Sequence, residues 1–364
     1  MPFTTFRMKS IKFILSTIAV ILTLIACNKD AEKPDFDRGA MLSDLTTNVI
    51  KASVLVASTE LASLQTLSQT FEANPDLANL NAVQNQFIEA YKKFQHCKPF
   101  DFGPFEDHGI IRALNTYPTD TLKINNNISL GVYSLSSVEN AQAVGFPALD
   151  FLLFNGDDSD ILNSFTAHAD ATKKMTLLND LVSKMKTEFE LAKNQWDVTT
   201  SGFVAADGND VGGSTSILFN AFVMDLELLK NAKIGIPAGY QTGGTTLPNY
   251  VEGYYSQSSI DLAKESVLAL KDVFTGSSGI GFEEYIRDVE DGVENSLADQ
   301  IIGRFDLCTT SLDAIGNPLS EEVDTDATTV TAVYNNIKTL VTYIKTDMSS
   351  ALGLLITFQD NDGD

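Results

Sequence analysis

LNDLVSKMKTEFELAKNQW, residues 178–196, decides the fold class. Leu178, Leu181, Met185, Phe189, Ala192 and Trp196 recur every three or four positions, which lines them along one side of a helix. The same spacing appears wherever the chain is strongly patterned. Leu42, Leu45, Val49, Ala52 and Val56 open a first long helix, and Leu80, Val83, Phe87, Ala90 and Phe94 a second that ends before Pro99. Val330, Val333, Ile337, Leu340, Ile344, Met348, Ala351 and Leu355 predict a helix of about seven turns. Ser214–Lys230 is apolar on nearly all sides, so a central, buried helix is expected there. Asp261–Phe274, stopped by Gly276, is another, and Phe282–Val289 and Ser296–Leu312 are shorter candidates. Strand alternation is confined to Ser129–Tyr133. The expectation is an all-α protein of two helical-bundle halves with a shared cleft.

The 364 residues suit two domains or one large one, and 44% apolar content is enough for a sizeable core. Forty-eight acids against 25 bases give a formal charge of −23. Nucleic acid is thereby excluded as the main partner, and so is electrostatic docking on anionic lipid. Three cysteines and three histidines are too few for a disulfide scaffold or a Cys/His zinc module.

Residues 8–27, MKSIKFILSTIAVILTLIAC, read as an address. Lys9 and Lys12 precede an apolar run that is short for a membrane span, and Leu24-Ile25-Ala26-Cys27 looks like a bacterial lipobox. Residues 1–26 are therefore expected to be a lipoprotein signal peptide, Cys27 the lipidated residue, and 27–36 a polar tether. The localisation that follows is the bacterial cell envelope, with the membrane met only through the lipid. Lys29-Asp30-Ala31-Glu32 faintly resembles the charged export signals of some surface lipoproteins. An envelope location permits a disulfide between Cys97 and Cys308; two separate buried thiols are the alternative. A break at Asn155-Gly156-Asp157-Asp158 puts the expected border between an N-terminal bundle, 37–157, and a C-terminal one, 158–364.

Two segments carry candidate chemistry. Pro99–Asp120, PFDFGPFEDHGIIRALNTYPTD, combines restrictive prolines and permissive glycines with Asp101, Glu106, Asp107, His108 and Arg112. It is either a site wall or a rigid connector with solvated acids, and His108 either ligates, pairs with Asp107 or is a surface residue. Ala143–Phe154, AVGFPALDFLLF, places Gly145 at a helix break, Pro147 in the first turn and Asp150 among apolar neighbours. Such a carboxylate must be satisfied or protonated. It is a ligand or anchor at the bundle centre, or it is bonded to helix-start or loop amides.

These segments resemble the imelysin-like family of bacterial envelope proteins, which takes in an insulin-cleaving peptidase and periplasmic iron-uptake proteins. The family's GxHxxE signature corresponds to Gly145-Phe146-Pro147-Ala148-Leu149-Asp150, with Pro147 at the His position and Asp150 at the Glu position. Its FGP turn is similar to Phe102-Gly103-Pro104, and its Trp-Pro-aspartate segment to Tyr117-Pro118-Thr119-Asp120. A Lys-Ile-Gly-x-Pro element matches Lys233–Pro237, a serine-bearing segment Tyr255–Asp261, and the closing LG…F…DGD the stretch from Leu352 to Asp364. The resemblance covers essentially the whole mature chain. It implies a pocket where the two halves meet. Together with the polar residues of the two segments, the candidate binding residues are Phe102, Gly103, Pro104, Asp107, His108, Arg112, Tyr117, Asp120, Gly145, Pro147, Asp150, Ser256 and Ser259.

Proline at 147 offers no ligand, so a His–Glu metal pair cannot form in the signature. His96, His108 and His168 have no HExxH spacing, there is no GxSxG elbow, and Ser256 and Ser259 have no identifiable His partner. Cys97 and His96 are helix neighbours that point apart. The DNDGD end begins like a calcium loop but lacks the distal Glu. A non-catalytic binding protein is expected, for iron, another divalent or trivalent cation, or a small ligand. Asp107, His108, Tyr117, Asp150 and Ser256 are the candidate contributors. The alternatives are an envelope interaction or accessory protein with its own protein partner, and a peptidase, which the missing His disfavours.

Overall fold

The computed structural model describes residues 35–358 apart from Gly292. The expected signal peptide, Cys27, most of the tether and the DNDGD end lie outside the described residues. Among the described residues every regular element is a helix. Helix α1 runs Arg38–Ala73, capped by the Asp37 carboxylate on the Ala40 amide at 2.8 Å, and α2 runs Leu77–Gln95. Then come α3 (Thr121–Leu130), α4 (Gly145–Phe154), α5 (Asp158–Thr166) and the long α6 (Ala171–Ala205). The second part contains α7 (Ser214–Leu228), α8 (Ser259–Thr275), α9 (Phe282–Val289), α10 (Leu297–Asp313), α11 (Leu319–Thr325) and α12 (Ala327–Thr342).

The apolar stripes dictate the packing. α1, α2 and α6 lie side by side, burying Leu61, Leu64, Phe87, Phe94, Leu181 and Phe189. α8, α10 and α12 form the second layer around Leu270, Phe305 and Ile337. α2 touches α8, and α7 packs against α8, α12 and the turn Lys98–Phe100 that follows α2. α1 is long and apolar enough to cross a membrane, yet its stripe is covered by α2 and α6.

Two bundle-like layers are thus present, and the segments on either side of residue 157 pack together. α5 and α6 lie beyond that turn and pack on α2 and α1, because the stripe of α6 matches theirs, and the described chain from Asp37 onward forms one compact unit. Ser129–Tyr133 is no strand: its first residues end α3 and Gly131 closes that helix at φ 69°. The stripe of α1 also slips. A π-helical stretch at Leu45–Ile50 inserts a residue, so Val54 and Ala57 are buried and Ala52 and Val56 face out. At the far end, Gly353 (φ 63°) stops the helical run, which leaves Leu355 exposed.

Candidate functional site

Gly145 is the hinge of the site. It begins α4 at φ 76°, and a Cβ there would lie 2.3 Å from the Leu114 carbonyl oxygen. Only glycine lets α4 press against the end of the proline-rich bend. The next residue, Phe146, locks the contact by stacking on Tyr91 with centroids 4.5 Å apart, and it also meets Phe94 at 5.1 Å. One turn further on, Asp150 points into the interior and is 2% exposed. Its Oδ2 accepts from the Tyr255 amide at 2.8 Å and its Oδ1 from the Ser256 amide at 3.0 Å. The loop that presents these amides turns through Gly253 and Gln257, both at positive φ. Ser259 fastens it by donating from Oγ to the Glu252 carbonyl at 2.5 Å. Burial pushes the Asp150 carboxyl up to about 6, even though the Ser256 side chain and the two amides favour its charged form.

Three cavities adjoin along this seam. The first, about 150 Å3, is lined by Tyr117, Pro118, Pro147, Asp150, Tyr254 and Tyr255. Tyr117 also lines the second, about 210 Å3, together with Lys98, Asn115 and Tyr250. Lys98, Ile111 and Leu228 carry over into the third, about 420 Å3, whose wall includes Asp101, Phe102, Glu106, Arg112 and Asp225. The signature turn and the proline-rich bend therefore share one groove.

A buried polar network lies behind the groove. Glu252, 1% exposed, pairs with Lys233 and accepts from Asn115 Nδ2 at 2.6 Å and Gln95 Nε2 at 3.1 Å. Tyr91 donates to Asn115 Oδ1 at 2.6 Å, and Lys233 also donates to Gln95 Oε1 at 2.9 Å. Lys98 Nζ lies 3.3 Å from Asp225 Oδ1, both groups nearly fully buried. Burial, with Lys98 nearby, pulls the Lys233 ammonium well below the usual lysine range.

An imelysin family model, described as Peptidase_M75: Imelysin, matches residues 54–344. The chain belongs to the imelysin family. Its fold is similar to that of a Parabacteroides distasonis protein described as an iron-regulated protein A precursor. The TM-score is 0.75 at 15% identity, covering 89% of this chain and 97% of that one. An imelysin-like protein from Psychrobacter arcticum gives a TM-score of 0.71 at 15% identity, with coverages of 88% and 97%. No protein of curated function matches the sequence.

The imelysin signature residues separate into two sets. Phe102, Arg112, Tyr117, Pro147 and Asp150 line the groove, with Gly145 and Ser256 holding its walls. Gly103 (φ 52°) and Pro104 shape the turn that delivers Phe102, which packs on Trp196 at 5.4 Å. The acidic pair goes elsewhere. Asp107 and His108 are exposed and both bind Gln195 of α6, His108 Nε2 at 2.8 Å and Asp107 Oδ2 at 3.2 Å. Asp120 caps α3 by accepting from the Lys123 amide at 2.9 Å. His96 pairs with Glu265 at 2.6 Å, and His168 Nδ1 accepts from the Asp170 amide at 3.2 Å.

The donor set does not suit a resident metal ion. Among the described residues no three His, Cys, Asp or Glu side chains gather within reach of one ion. Asp150 accepts one loop amide on each oxygen and, among the described residues, has no second acidic or imidazole side chain beside it. Desolvation pushes the Tyr117 and Tyr255 phenols up, so neither is prepared as a phenolate. Cys97 and Cys308 are free and buried, and burial lifts the Cys308 thiol to about 12. The residues that sequence reasoning missed are Gln95, Lys98, Asn115, Asp225, Lys233 and Glu252. A signal existed for two of them: Asp225, like Glu227, is a charge inside the mostly apolar α7, and Lys233 opens the Lys-Ile-Gly-x-Pro element.

Proposed function

We propose that this imelysin-family chain is a lipid-anchored, non-hydrolytic binding protein of the bacterial cell envelope that holds a small organic ligand in the groove. One observation carries the reading. The carboxylate at the signature's acidic position accepts the Tyr255 and Ser256 amides, one on each oxygen, and so clamps a loop, with no second carboxylate or imidazole among the described residues gathered beside it to complete a metal or acid–base site. Pro147 beside it supplies no donor, while the cavity around both stays open. The relative described as iron-regulated supports an iron-linked setting, in which the protein's level would follow iron supply. The membrane is met through lipid on Cys27, and the acidic surface argues against nucleic acid.

Native mass spectrometry and metal analysis of protein taken from its own envelope test this. The expected result is an organic small molecule in molar proportion, with no stoichiometric iron, zinc or calcium. Stoichiometric iron that disappears in Asp150→Ala would overturn the reading. Radiolabelled palmitate incorporated by wild type and lost in Cys27→Ala checks the anchor.

A further inference from the structure

Asp150 carries a negative charge in the interior with no cation to answer it. Its partners are two neutral amides and the Ser256 side chain, and it forms no ion pair among the described residues. Raised only to about 6, its carboxyl is ionised at neutral pH. The 150 Å3 cavity beside it has no other charged side chain in its lining. Five ring-bearing residues line it instead: Tyr117, Pro118, Pro147, Tyr254 and Tyr255. Tyr254 and Tyr255 stand at 87° with centroids 5.0 Å apart, so their rings form a corner. Tyr254 is 38% exposed, and Tyr117 and Tyr255 are half-buried, so the rings can be reached from solvent.

We infer that this cavity binds a quaternary ammonium head group, of the trimethylammonium type, against Tyr117, Tyr254 and Tyr255. Aromatic rings attract a cation through their quadrupole, most strongly where water is displaced. Asp150 adds its field from behind the wall and need not touch the ligand. An anion would meet a like charge there. A primary ammonium brings three N–H donors that need acceptors, whereas each Asp150 oxygen is buried and already takes an amide. A quaternary head has no donor to satisfy, and its methyl groups lie on tyrosine and proline rings. The cavity is smaller than the roughly 300–1,000 Å3 of drug-sized pockets, so it takes a head group alone. The rest of the ligand continues into the 210 Å3 cavity that shares Tyr117. The inference rests on the small-ligand reading above and names the chemistry of one end of that ligand.

Titration calorimetry on the full chain tests it. The probes are choline, its neutral carbon isostere 3,3-dimethylbutan-1-ol, and ethanolamine. Choline should bind at least about tenfold more tightly than either of the others. Asp150→Asn removes the charge and should bring choline down to the level of the isostere. Tyr254→Leu, at an exposed position, should weaken choline by about threefold or more and the isostere by less. Should Asp150→Asn fail to fold, the three-probe comparison and Tyr254→Leu still decide. Choline matched by the isostere or by ethanolamine, choline binding untouched by Tyr254→Leu, or no heat from choline at millimolar concentration overturns the inference. A retained organic molecule without a quaternary nitrogen in native mass spectra would sink this inference alone. An empty protein alongside silent titrations would sink the binding reading too.

Discussion

Asp150 shows how one side chain ties two distant segments together and makes their contact pH-sensitive. Its carboxyl is raised from 3.8 to about 6 by burial, so the folded state holds the proton more tightly than the unfolded chain. The stability this contributes is complete below about pH 4 and is lost as the pH climbs through about 6, a change of about 3 kcal/mol. Asp150→Asn cannot ionise and turns an amide group toward one of the two loop N–H donors, at a cost of about 1–3 kcal/mol. Urea midpoints of both proteins should therefore differ most near pH 4 and draw together toward pH 7. A gap that stays constant across that interval would show that Asp150 is not the titrating group.

At the scale of the element, capping and π-helical insertions decide what periodicity leaves open. α3 was invisible to the stripe argument because it buries little beyond Ile124 and Asn127. Its start is fixed instead by the Asp120 carboxylate on the Lys123 amide. Asp120→Ala should lower stability by about 1 kcal/mol in chemical denaturation, and Asp120→Asn by much less. Neither should alter ligand retention in native mass spectra; a lost ligand would return Asp120 to the site. The stripes themselves located the long helices, although α6 extends beyond its stripe at both ends, from Ala171 to Ala205. They failed in phase after Leu45–Ile50, where the buried positions continue from Ile50 through Val54 and Ala57 and not through Ala52 and Val56.

Across the whole molecule, the halves are joined by buried charge as well as by apolar surface. Lys233 follows α7, Glu252 lies in the loop before α8, Gln95 ends α2 and Asn115 belongs to the proline-rich bend, and all converge on one another. Removing one partner leaves the other charged and dry. Lys233→Met should cost about 3–5 kcal/mol in urea unfolding, and adding Glu252→Gln should restore much of it. A double variant no better than the single one would mean that Lys233 acts through packing and not through its charge. Of the expected site, Tyr117, Pro147, Asp150 and Arg112 reach the groove, whereas Asp107 and His108 turn to Gln195 on α6.

The helical class and the long helices could be read from residues alone, because they rest on short-range regularity. The contact between the signature turn and the bend was implied by the resemblance to the family. The partners of the polar groups could not be read. Asp150 meets a loop 105 residues away, Lys233 reaches Gln95 over 138 and Gln95 reaches Glu252 over 157. Separations of that size are set by which helices pack together. A carboxylate looks the same in sequence whether it ends as a loop clamp, a cap or an unsatisfied group in a cavity wall. Only tertiary packing, by fixing what surrounds it once water is gone, assigns it one of those states.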